Sequence, residues 1–214
     1  MNEIRPALIL TALFVLLTGA LFPAVMWGAA QLLFPDQANG SLIRDRSGKV
    51  VGSRLIGQPF AQVKYFHPRP SAAGSGYDGA SSSGTNLGPV SAKLINGIDD
   101  DPTTAGVDES FPGVNELAAT YRSVNGLAAT VVLPADAVTR SGSGLDPEIS
   151  PANALLQLPR VAKARGVAES EVRALVEKQT KGRFLMIFGE PRVNVLELNL
   201  ALDERAYVGV SPDQ

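Results

Sequence analysis

The N-terminal part of the chain contains a long run of residues without any charged side chain. The run extends from Pro6 to Pro35 and lies between Arg5 and Asp36. A helix that crosses a bilayer needs about 20 mainly apolar residues, so this run is long enough to span a membrane. Its strongly polar side chains are those of Thr11, Thr18 and Gln31. We therefore predict a single transmembrane anchor in residues 1–35.

A cleaved signal peptide is the alternative interpretation of this run. The tripeptide Gly28-Ala29-Ala30 resembles a cleavage site. The apolar region is, however, longer than the roughly 7–15 residues of a signal peptide, and a single arginine precedes it. We therefore expect the anchor to be retained, with a kink at Pro23 and with Trp27 near the outer membrane interface.

The remaining residues, 36–214, have the size of one ordinary domain. The chain carries a formal net charge of −2, so it offers no basic surface that would hold nucleic acid. It has no cysteine, which excludes disulfides, thiolate nucleophiles and cysteine-based zinc sites. The positively charged residues Arg44, Arg46 and Lys49 follow the uncharged N-terminal run. By their count alone they would place this domain in the cytoplasm, although long domains often cross the membrane regardless of such charges.

The first part of the soluble domain has the pattern of a hairpin followed by a long loop. Short apolar segments flank the turn-like residues 45–48, which predicts a β-hairpin. We expect its second strand to continue from Gly52 to Gln58. Residues 66–90 are rich in Ser, Gly, Ala and Pro but also carry aromatic and arginine side chains, so we favour an ordered surface loop over a flexible linker. Residues 98–112 are acidic without the spacing of a calcium loop, which predicts a solvated loop.

Apolar runs in the second part of the domain predict strands. Residues 127–133 and residues 184–188 each read as a buried strand. Residues 115–121 have the character of a short helix. Residues 193–202 alternate imperfectly between apolar and polar side chains, so a strand with a bulge and a helix both remain open there.

Two helices are predicted between these strands, which gives an α+β domain behind a single transmembrane helix. Ser150 and Pro151 have the residue types of an N-cap and a first helical position, and Gly166 is a typical stop after Arg165. Pro159 interrupts this helix, so we expect a kink or two shorter helices. A second helix over residues 168–180 would bury one apolar face, formed by Val172, Leu175 and Val176.

The sequence lacks the common catalytic motifs. It contains no phosphate-binding G-x-x-x-x-G-K-[ST], no phosphorylated-aspartate signature D-K-T-G, no G-x-S-x-G and no S-x-x-K. His67 is the only histidine, so a histidine-based metal site cannot form within one chain. Because His67 lies between Phe66 and Pro68 without a local acid or nucleophile, we interpret it as structural. We therefore expect a chain that is not an enzyme.

Residues 139–151 form the most unusual local motif, Thr-Arg-Ser-Gly-Ser-Gly-Leu-Asp-Pro-Glu-Ile-Ser-Pro. Alternating serine and glycine allow tight bends that expose backbone N–H groups. Such a loop before a helix can hold an anion. A hydrogen-bonded turn that positions the following helix explains the same residues, and on physical grounds alone we favour the turn.

This motif resembles the signature of the C subunit of the bacterial Kdp potassium-transporting ATPase. Further segments are similar to that family in the same order along nearly the whole chain: Gly52 to Gln58, Tyr65 to Ser71, Tyr77-Asp78, Ser81 to Pro89, Arg160 to Ala162, Gly189 to Leu196 and Leu198 to Asp203. Glu148, Thr85 and the acidic residues 98–113 depart from the family pattern.

The resemblance implies an accessory subunit of a pump in the cell inner membrane, with the domain 36–214 on the extracytoplasmic side. Its implied partners are a potassium-channel-like subunit, a P-type ATP-hydrolysing subunit, a small membrane subunit and the lipid bilayer. ATP and potassium would be handled by the complex, with no cofactor held by this chain alone. The family's role as a catalytic chaperone that raises ATP affinity would then have to act through the membrane. An anchored binding protein or hydrolase unrelated to transport is the alternative.

Two loop segments are the candidates for a subunit interface. Aromatic and arginine residues among small polar ones are typical interface anchors. On this basis we expect contacts with the channel-like subunit from Tyr65, Phe66, Arg69, Asn86, Leu87, Ser141, Gly142, Ser143, Gly144, Leu145 and Asp146. The alternative is that these residues brace the domain's own loops.

Overall fold

The computed structural model describes residues 3–45, 47–98 and 110–208, with the backbone alone for 205–208. The chain divides into two compact units, one ending at Ser53 and the other beginning at Arg54. The predicted anchor boundary, between residues 35 and 36, thus lies before the end of the first unit. Most of the acidic segment, residues 99–109, falls outside the described residues.

The first unit begins with a 30-residue helix, Ile4–Leu33, that is long and apolar enough to cross a membrane. It consists of α1 (Ile4–Leu16), a π-helical stretch (Leu17–Leu21) and α2 (Phe22–Leu33), and none of its side chains is buried within the chain. Pro23 lies two residues after the end of the π-helical stretch. Because proline lacks a backbone N–H and its ring crowds the preceding turn, a locally wider helix accommodates it.

A short helix and a hairpin complete the first unit. Helix α3 (Pro35–Ala38) is followed by strands β1 (Leu42–Arg44) and β2 (Val50–Ser53), which pair antiparallel. The Asp45 carboxylate accepts hydrogen bonds from the backbone N–H groups of Ser47 at 2.9 Å and Lys49 at 3.0 Å. These hydrogen bonds stabilise the turn between the two strands. The predicted hairpin is confirmed. The predicted extension of the second strand to Gln58 is wrong, because the chain turns directly after Ser53.

The second unit is built around three helices and a small sheet. Helices α6 (Pro151–Arg165), α7 (Glu169–Gln179) and α8 (Val195–Val208) pack against the antiparallel sheet β3-β5-β4. The strands are short: β3 is Glu148–Ile149, β4 is Thr180–Lys181 and β5 is Arg192–Asn194. Smaller helices precede this core: α4 (Ala92–Asn96), α5 (Val114–Asn125) and a 3₁₀ turn (Ala135–Ala137). The α+β class is confirmed.

Local capping explains the first of the two helices that the sequence predicted, α6. The hydroxyl of Ser150 accepts a hydrogen bond from the Asn153 N–H at 3.1 Å, which caps α6. Gly166 adopts the left-handed conformation that ends α6. Pro159 lies inside a single helix rather than between two. The predicted apolar face of α7 is buried, and α6 contributes its own face to the same core, formed by Ala154, Leu158, Val161 and Ala162.

The open alternative at residues 193–202 is resolved as a strand followed directly by a helix. Strand β5 ends at Asn194, whose side-chain oxygen accepts from the Glu197 N–H at 3.0 Å and so caps α8. The change from strand to helix after Asn194 explains why the apolar alternation of residues 193–202 is imperfect. Val193, Leu198 and Leu202 are all buried on either side of it.

Two predicted strands are wrong. Residues 127–133 form turns and extended loop, and the Val132 side chain is 88% exposed. Residues 184–188 form the tight end of a hairpin, with all five side chains largely exposed. An apolar run predicts a buried strand only where other parts of the chain cover it, and these two segments lie largely uncovered.

Candidate functional site

The serine-rich loop and the 139–146 segment meet through their backbones. The backbone N–H of Ser83 donates to the carbonyl of Ser143 at 3.0 Å, and the hydroxyl of Ser82 donates to the same carbonyl at 2.9 Å. The hydroxyl of Ser71 donates to the carbonyl of Gly144 at 2.6 Å. The structure thus brings together motifs that lie about 60–70 residues apart in sequence.

Two glycines make this close approach possible. A Cβ on Gly84 would lie 2.8 Å from the carbonyl oxygen of Gly142, and a Cβ on Gly144 would lie 2.5 Å from that of Ser83. Gly144 also has a φ of +68°, a conformation that favours glycine. The Ser-Gly alternation therefore serves the packing of two loops, which agrees with the tight-turn interpretation of this motif.

Arg69 joins the two loops by charge. Its Nη1 lies 2.6 Å from Oδ2 of Asp146, and its Nη2 lies 3.4 Å from the carbonyl oxygen of Arg140. The other carboxylate oxygen of Asp146 accepts from the backbone N–H of Glu148 at 2.9 Å. Both side chains are about three-quarters buried, with 21% and 28% exposed. Arg69 is therefore committed to internal contacts.

Tyr77 is held beneath Arg69. Its hydroxyl donates to the carbonyl of Arg69, and its backbone N–H donates to the hydroxyl of Ser71 at 2.9 Å. Burial raises the pKa of the Tyr77 phenol far above its usual range, and the negative charge of Asp146 adds to this effect. The phenol therefore stays a neutral hydrogen-bond donor at physiological pH.

Buried carboxamides hold the segment that contains Phe66. The side chain of Asn199 accepts from the N–H of Phe66 at 2.8 Å and donates to its carbonyl at 2.9 Å. Gln157 binds the backbone of His67 in the same way, at 2.7 Å and 2.9 Å. Each amide completes the two hydrogen bonds that a neighbouring strand would make. The Phe66 ring is thereby fixed in the core, with 0% exposed.

Tyr65 is tied to the last helix. Its hydroxyl donates to Oδ2 of Asp203 at 2.8 Å, and Arg165 donates to the other oxygen of the same carboxylate at 2.8 Å. The guanidinium of Arg165 lies 5.1 Å from the centre of the Tyr65 ring, within the range of a cation–π contact. Burial, followed by the neighbouring carboxylate, raises the pKa of the Tyr65 phenol. Tyr65 is thus part of a cluster that fastens the loop to α6 and α8.

His67 occupies a structural position. Its Nε2 lies 3.2 Å from the carbonyl oxygen of Gln62 and 3.5 Å from Nη1 of Arg160. Burial and the positive charge of Arg160 lower the pKa of His67 below its usual range. The imidazole is therefore neutral at pH 7, and these contacts agree with the structural role that the sequence indicated.

The predicted interface residues differ in their exposure. Asn86, Gly142 and Ser143 are exposed. The half-buried members are Tyr65, Arg69, Leu87, Ser141 and Asp146. The expectation of an exposed ring is wrong for Phe66, which the carboxamides hold in the core, and Leu145 is also buried. We call residues 86–87 and 141–143, which are exposed or half-buried, the serine–glycine face.

The buried polar network was not anticipated from the sequence. The Asn153 side chain joins Gln157 to the Asp136 carboxylate, with both hydrogen bonds at 2.9 Å. Asn153 and Gln157 lie four residues apart, so they share a helix face with buried Ala154 and Leu158. Two carboxamides on an otherwise apolar helix face are the sequence pattern that indicates such a network, because a buried amide needs polar partners.

A partly open cleft of about 290 Å³ lies beside Arg69. Its walls are mainly apolar, and its lining includes Phe60, Pro68, Pro70, Leu117, Tyr121 and Val124. The phenol of Tyr121 donates to the Asn153 side chain at 2.7 Å, so the cleft is backed by the same network. Such a cleft suits an apolar side chain better than a charged ligand.

Comparisons with known proteins agree on one family. The family model described as "K+-transporting ATPase, c chain" matches residues 4–204. A protein of Caulobacter vibrioides named "Potassium-transporting ATPase KdpC subunit" is 53% identical over 205 residues, covering 96% of this chain and 94% of the relative. A protein of the same name from Mycobacterium tuberculosis is 49% identical over 202 residues, covering 94% of this chain and 98% of the relative.

Proposed function

The chain belongs to the family of K+-transporting ATPase c chains, and on this premise we propose that it is a non-catalytic subunit of an ATP-driven potassium import complex. The family match over nearly the whole chain carries the proposal. The lack of phosphate-binding and phosphorylated-aspartate motifs in the sequence supports a non-catalytic role. Its partners in this proposal are a channel-like subunit, a P-type ATP-hydrolysing subunit and a small membrane subunit.

Purification tests this proposal directly. The tagged chain, extracted in mild detergent, is expected to bring down the other subunits of a potassium pump, identified by mass spectrometry. The purified chain alone is expected to hydrolyse no ATP. Recovery of the chain without pump subunits, or steady hydrolysis by the isolated chain, would count against it.

The topology in this proposal is a single-pass anchor in the cell inner membrane with the domain on the extracytoplasmic side. Helix Ile4–Leu33 supplies the anchor. The chain has no cysteine, so a single cysteine introduced by Ser47→Cys reports the side. Labelling of intact cells by an impermeant maleimide is expected, whereas labelling only after lysis would place the domain in the cytoplasm. Retention of the chain in membranes after a carbonate wash tests the anchor separately.

The serine–glycine face is our candidate contact with the channel-like subunit. The Arg69–Asp146 pair and the glycine contacts fix its shape from within, and a pre-formed surface loses little entropy on binding. Gly142 is exposed, with nothing within 4 Å of a Cβ placed there. Gly142→Arg therefore adds a long side chain to this face without crowding the domain itself.

A matched variant makes the interface test specific. Ala164 is exposed on α6, so Ala164→Arg adds the same side chain elsewhere on the domain. Gly142→Arg is expected to reduce co-purification with the channel-like subunit about tenfold or more, a loss typical of a blocked interface centre, while Ala164→Arg leaves it unchanged. Equal recovery of both variants would show that the serine–glycine face is not the contact.

We propose that this chain raises the ATP affinity of the pump subunit indirectly, through coupling between the subunits. A domain outside the membrane cannot touch a cytoplasmic nucleotide, so any rise in ATP affinity has to be a coupling free energy transmitted through the complex. Linkage then requires ATP to tighten the association of this chain with the pump by the same factor. Measuring the dissociation of the chain with and without a non-hydrolysable ATP analogue tests this reciprocity, and an unchanged dissociation constant alongside a changed ATP affinity would refute it.

A further inference from the structure

The hairpin between β4 and β5 ends in five consecutive large apolar side chains. These residues, 184–188, which we call the apolar tip, are exposed at the following fractions: Phe184 67%, Leu185 65%, Met186 89%, Ile187 72% and Phe188 60%. Scattered apolar side chains on a surface need no explanation, but a contiguous exposed group marks a contact with a protein or a membrane. The proposed interface does not include this group.

The apolar tip has a defined backbone conformation. The N–H groups of Phe184 and Phe188 donate to each other's carbonyl at 2.8 Å and 2.9 Å. Leu185 and Met186 between them have φ values of 51° and 62°. Two successive residues in the left-handed region are typical of the tight hairpin turn that normally uses asparagine and glycine. Bulky side chains at these strained positions indicate that their apolar character matters more than the ease of forming the turn.

The hydrogen bonding of the apolar tip suits a medium without water. Besides the two bonds between Phe184 and Phe188, the N–H of Ile187 donates to Phe184 at 3.2 Å and the N–H of Met186 donates to Arg183 at 3.2 Å. A backbone group enters hydrocarbon at low cost only when its hydrogen bonds are already made. Four of the five N–H groups of the apolar tip are thus already bonded within the hairpin, which lowers the cost of moving this backbone into hydrocarbon.

Charged pairs surround the base of the hairpin. Arg183 binds both carboxylate oxygens of Glu190, at 2.8 Å and 2.7 Å. Two residues further back on each strand, Lys181 lies 2.8 Å from Glu197 and Arg192 lies 2.9 Å from Glu148. An uncharged end followed by a ring of charged groups matches the change from acyl chains to headgroups at a membrane surface.

A bilayer is also the apolar phase to which this unit is already attached. The helix that can span a membrane ends at Leu33, and the second unit begins at Arg54. The intervening chain, even fully extended, spans at most about 70 Å. Tethering confines the hairpin near the membrane and raises the effective concentration of lipid around it. The tip exposes apolar side chains at every position rather than on one face, which fits lipid better than a one-sided protein groove.

We propose that the apolar tip inserts into the outer leaflet of the bilayer that holds the anchor, as a second membrane contact of the domain. Phe184 and Phe188 would lie nearest the headgroups and Leu185, Met186 and Ile187 deepest. The Arg183–Glu190 pair would limit the depth. This inference rests on the anchored topology of the proposed function, but not on the choice of partner subunit.

The test uses the full-length chain in vesicles of phosphatidylcholine. Because the chain has no cysteine, Ile187→Cys can carry a single polarity-sensitive fluorophore, and Val132→Cys, at an 88% exposed position, is the matched control. The label at position 187 is expected to emit at shorter wavelength, to be quenched by spin labels on the upper part of the lipid acyl chains and to be several-fold less accessible to aqueous iodide. The label at position 132 is expected to behave as in water.

A turn substitution provides the second variant. Leu185→Asn with Met186→Gly installs the residues that this turn type prefers, so the hairpin is expected to form while the tip loses its deepest side chains. The label at position 187 should then return to water-like emission. An unchanged emission in this background would overturn the proposal.

Two other results would also overturn it. The first is a label at position 187 that stays in water. The second is a label that is shielded only in the assembled complex and is not reached by lipid spin labels, because that result would identify a protein partner instead of lipid. Loss of the whole chain from vesicles after a carbonate wash would instead reject the anchor, and with it the proposed topology. A retained chain with a water-exposed tip rejects the tip alone.

Discussion

Gln157 makes two hydrogen bonds to the backbone of His67. Its side-chain oxygen accepts from the His67 N–H at 2.7 Å, and its side-chain nitrogen donates to the His67 carbonyl at 2.9 Å. Asn199 makes the same pair of bonds to Phe66. Two helices, α6 and α8, thus hold consecutive residues of a segment that pairs with no strand in the part of the chain that the structure describes. This arrangement keeps Phe66 in the core and carries the chain onward to Arg69.

The first prediction concerns the Gln157 side chain. Gln157→Leu keeps the approximate volume but leaves the buried N–H and carbonyl of His67 without these partners, at a cost of about 1–3 kcal/mol for each group. The free energy of unfolding is expected to fall by at least about 2 kcal/mol. Denaturant unfolding of the full chain in detergent, followed by circular dichroism, measures it. Lys163→Leu, at an exposed position of the same helix, is expected to change it little.

Local signals account for what the sequence predicted correctly. The hairpin at residues 45–48, the start of α6 at Ser150 and its end at Gly166 all depend on hydrogen bonds or backbone conformations within a few residues. The buried face of α7 follows from the 3.6-residue period of an amphipathic helix. Such features can be read from a short window of sequence because their causes lie inside it.

The errors have a common physical origin in long-range packing. Residues 127–133 and 184–188 have the composition of buried strands but lie largely exposed. Phe66 belongs to a segment in which aromatic and arginine residues lie among small polar ones, a pattern typical of an interface. Its backbone is nevertheless held by Asn199, 133 residues away, and its ring is buried. The candidate interface shows the same limitation of local sequence patterns. Residue types could be selected as typical of an interface, but the solvent exposure of each side chain could not be predicted from them.

The second prediction compares two glycines of one turn. Gly144→Ala places a Cβ 2.5 Å from the carbonyl oxygen of Ser83 and strains a backbone with φ of +68°. We expect a loss of about 1–3 kcal/mol in the free energy of unfolding. Gly142→Ala has nothing within 4 Å of its new Cβ and is expected to change stability by less than about 0.5 kcal/mol. Equal effects in thermal unfolding would mean that the two loops do not pack as described.

The third prediction concerns the coupling of Arg69 and Asp146. Their 2.6 Å contact is about three-quarters buried, so a double-mutant cycle with Arg69→Ala and Asp146→Ala is expected to give a coupling of about 1 kcal/mol in domain stability. The same cycle on co-purification with the pump separates support of the fold from direct binding. A normal unfolding transition with weakened assembly would show that Arg69 itself contacts the partner.

The fourth prediction is a dependence of stability on pH below neutrality. His67 is the only histidine of the chain, and burial beside Arg160 lowers its pKa in the folded state from the ordinary value of 6.5. The unfolded chain therefore binds a proton more readily than the folded chain. By linkage, the contribution of the neutral imidazole is fully present above pH 6.5 and is lost as the pH falls from 6.5 toward the lower pKa of the folded state.

His67→Asn tests this origin, because asparagine has no proton to bind in this range. In the original chain, the free energy of unfolding in detergent should fall between pH 7.5 and pH 5, with a slope of at most about 1.4 kcal/mol per pH unit, the limit for one proton. In His67→Asn the slope over the same range should nearly vanish, whatever the change in absolute stability. A slope that survives the substitution would assign the pH dependence to groups other than the imidazole, and stability that rises on acidification would mean that His67 binds its proton more tightly in the folded chain.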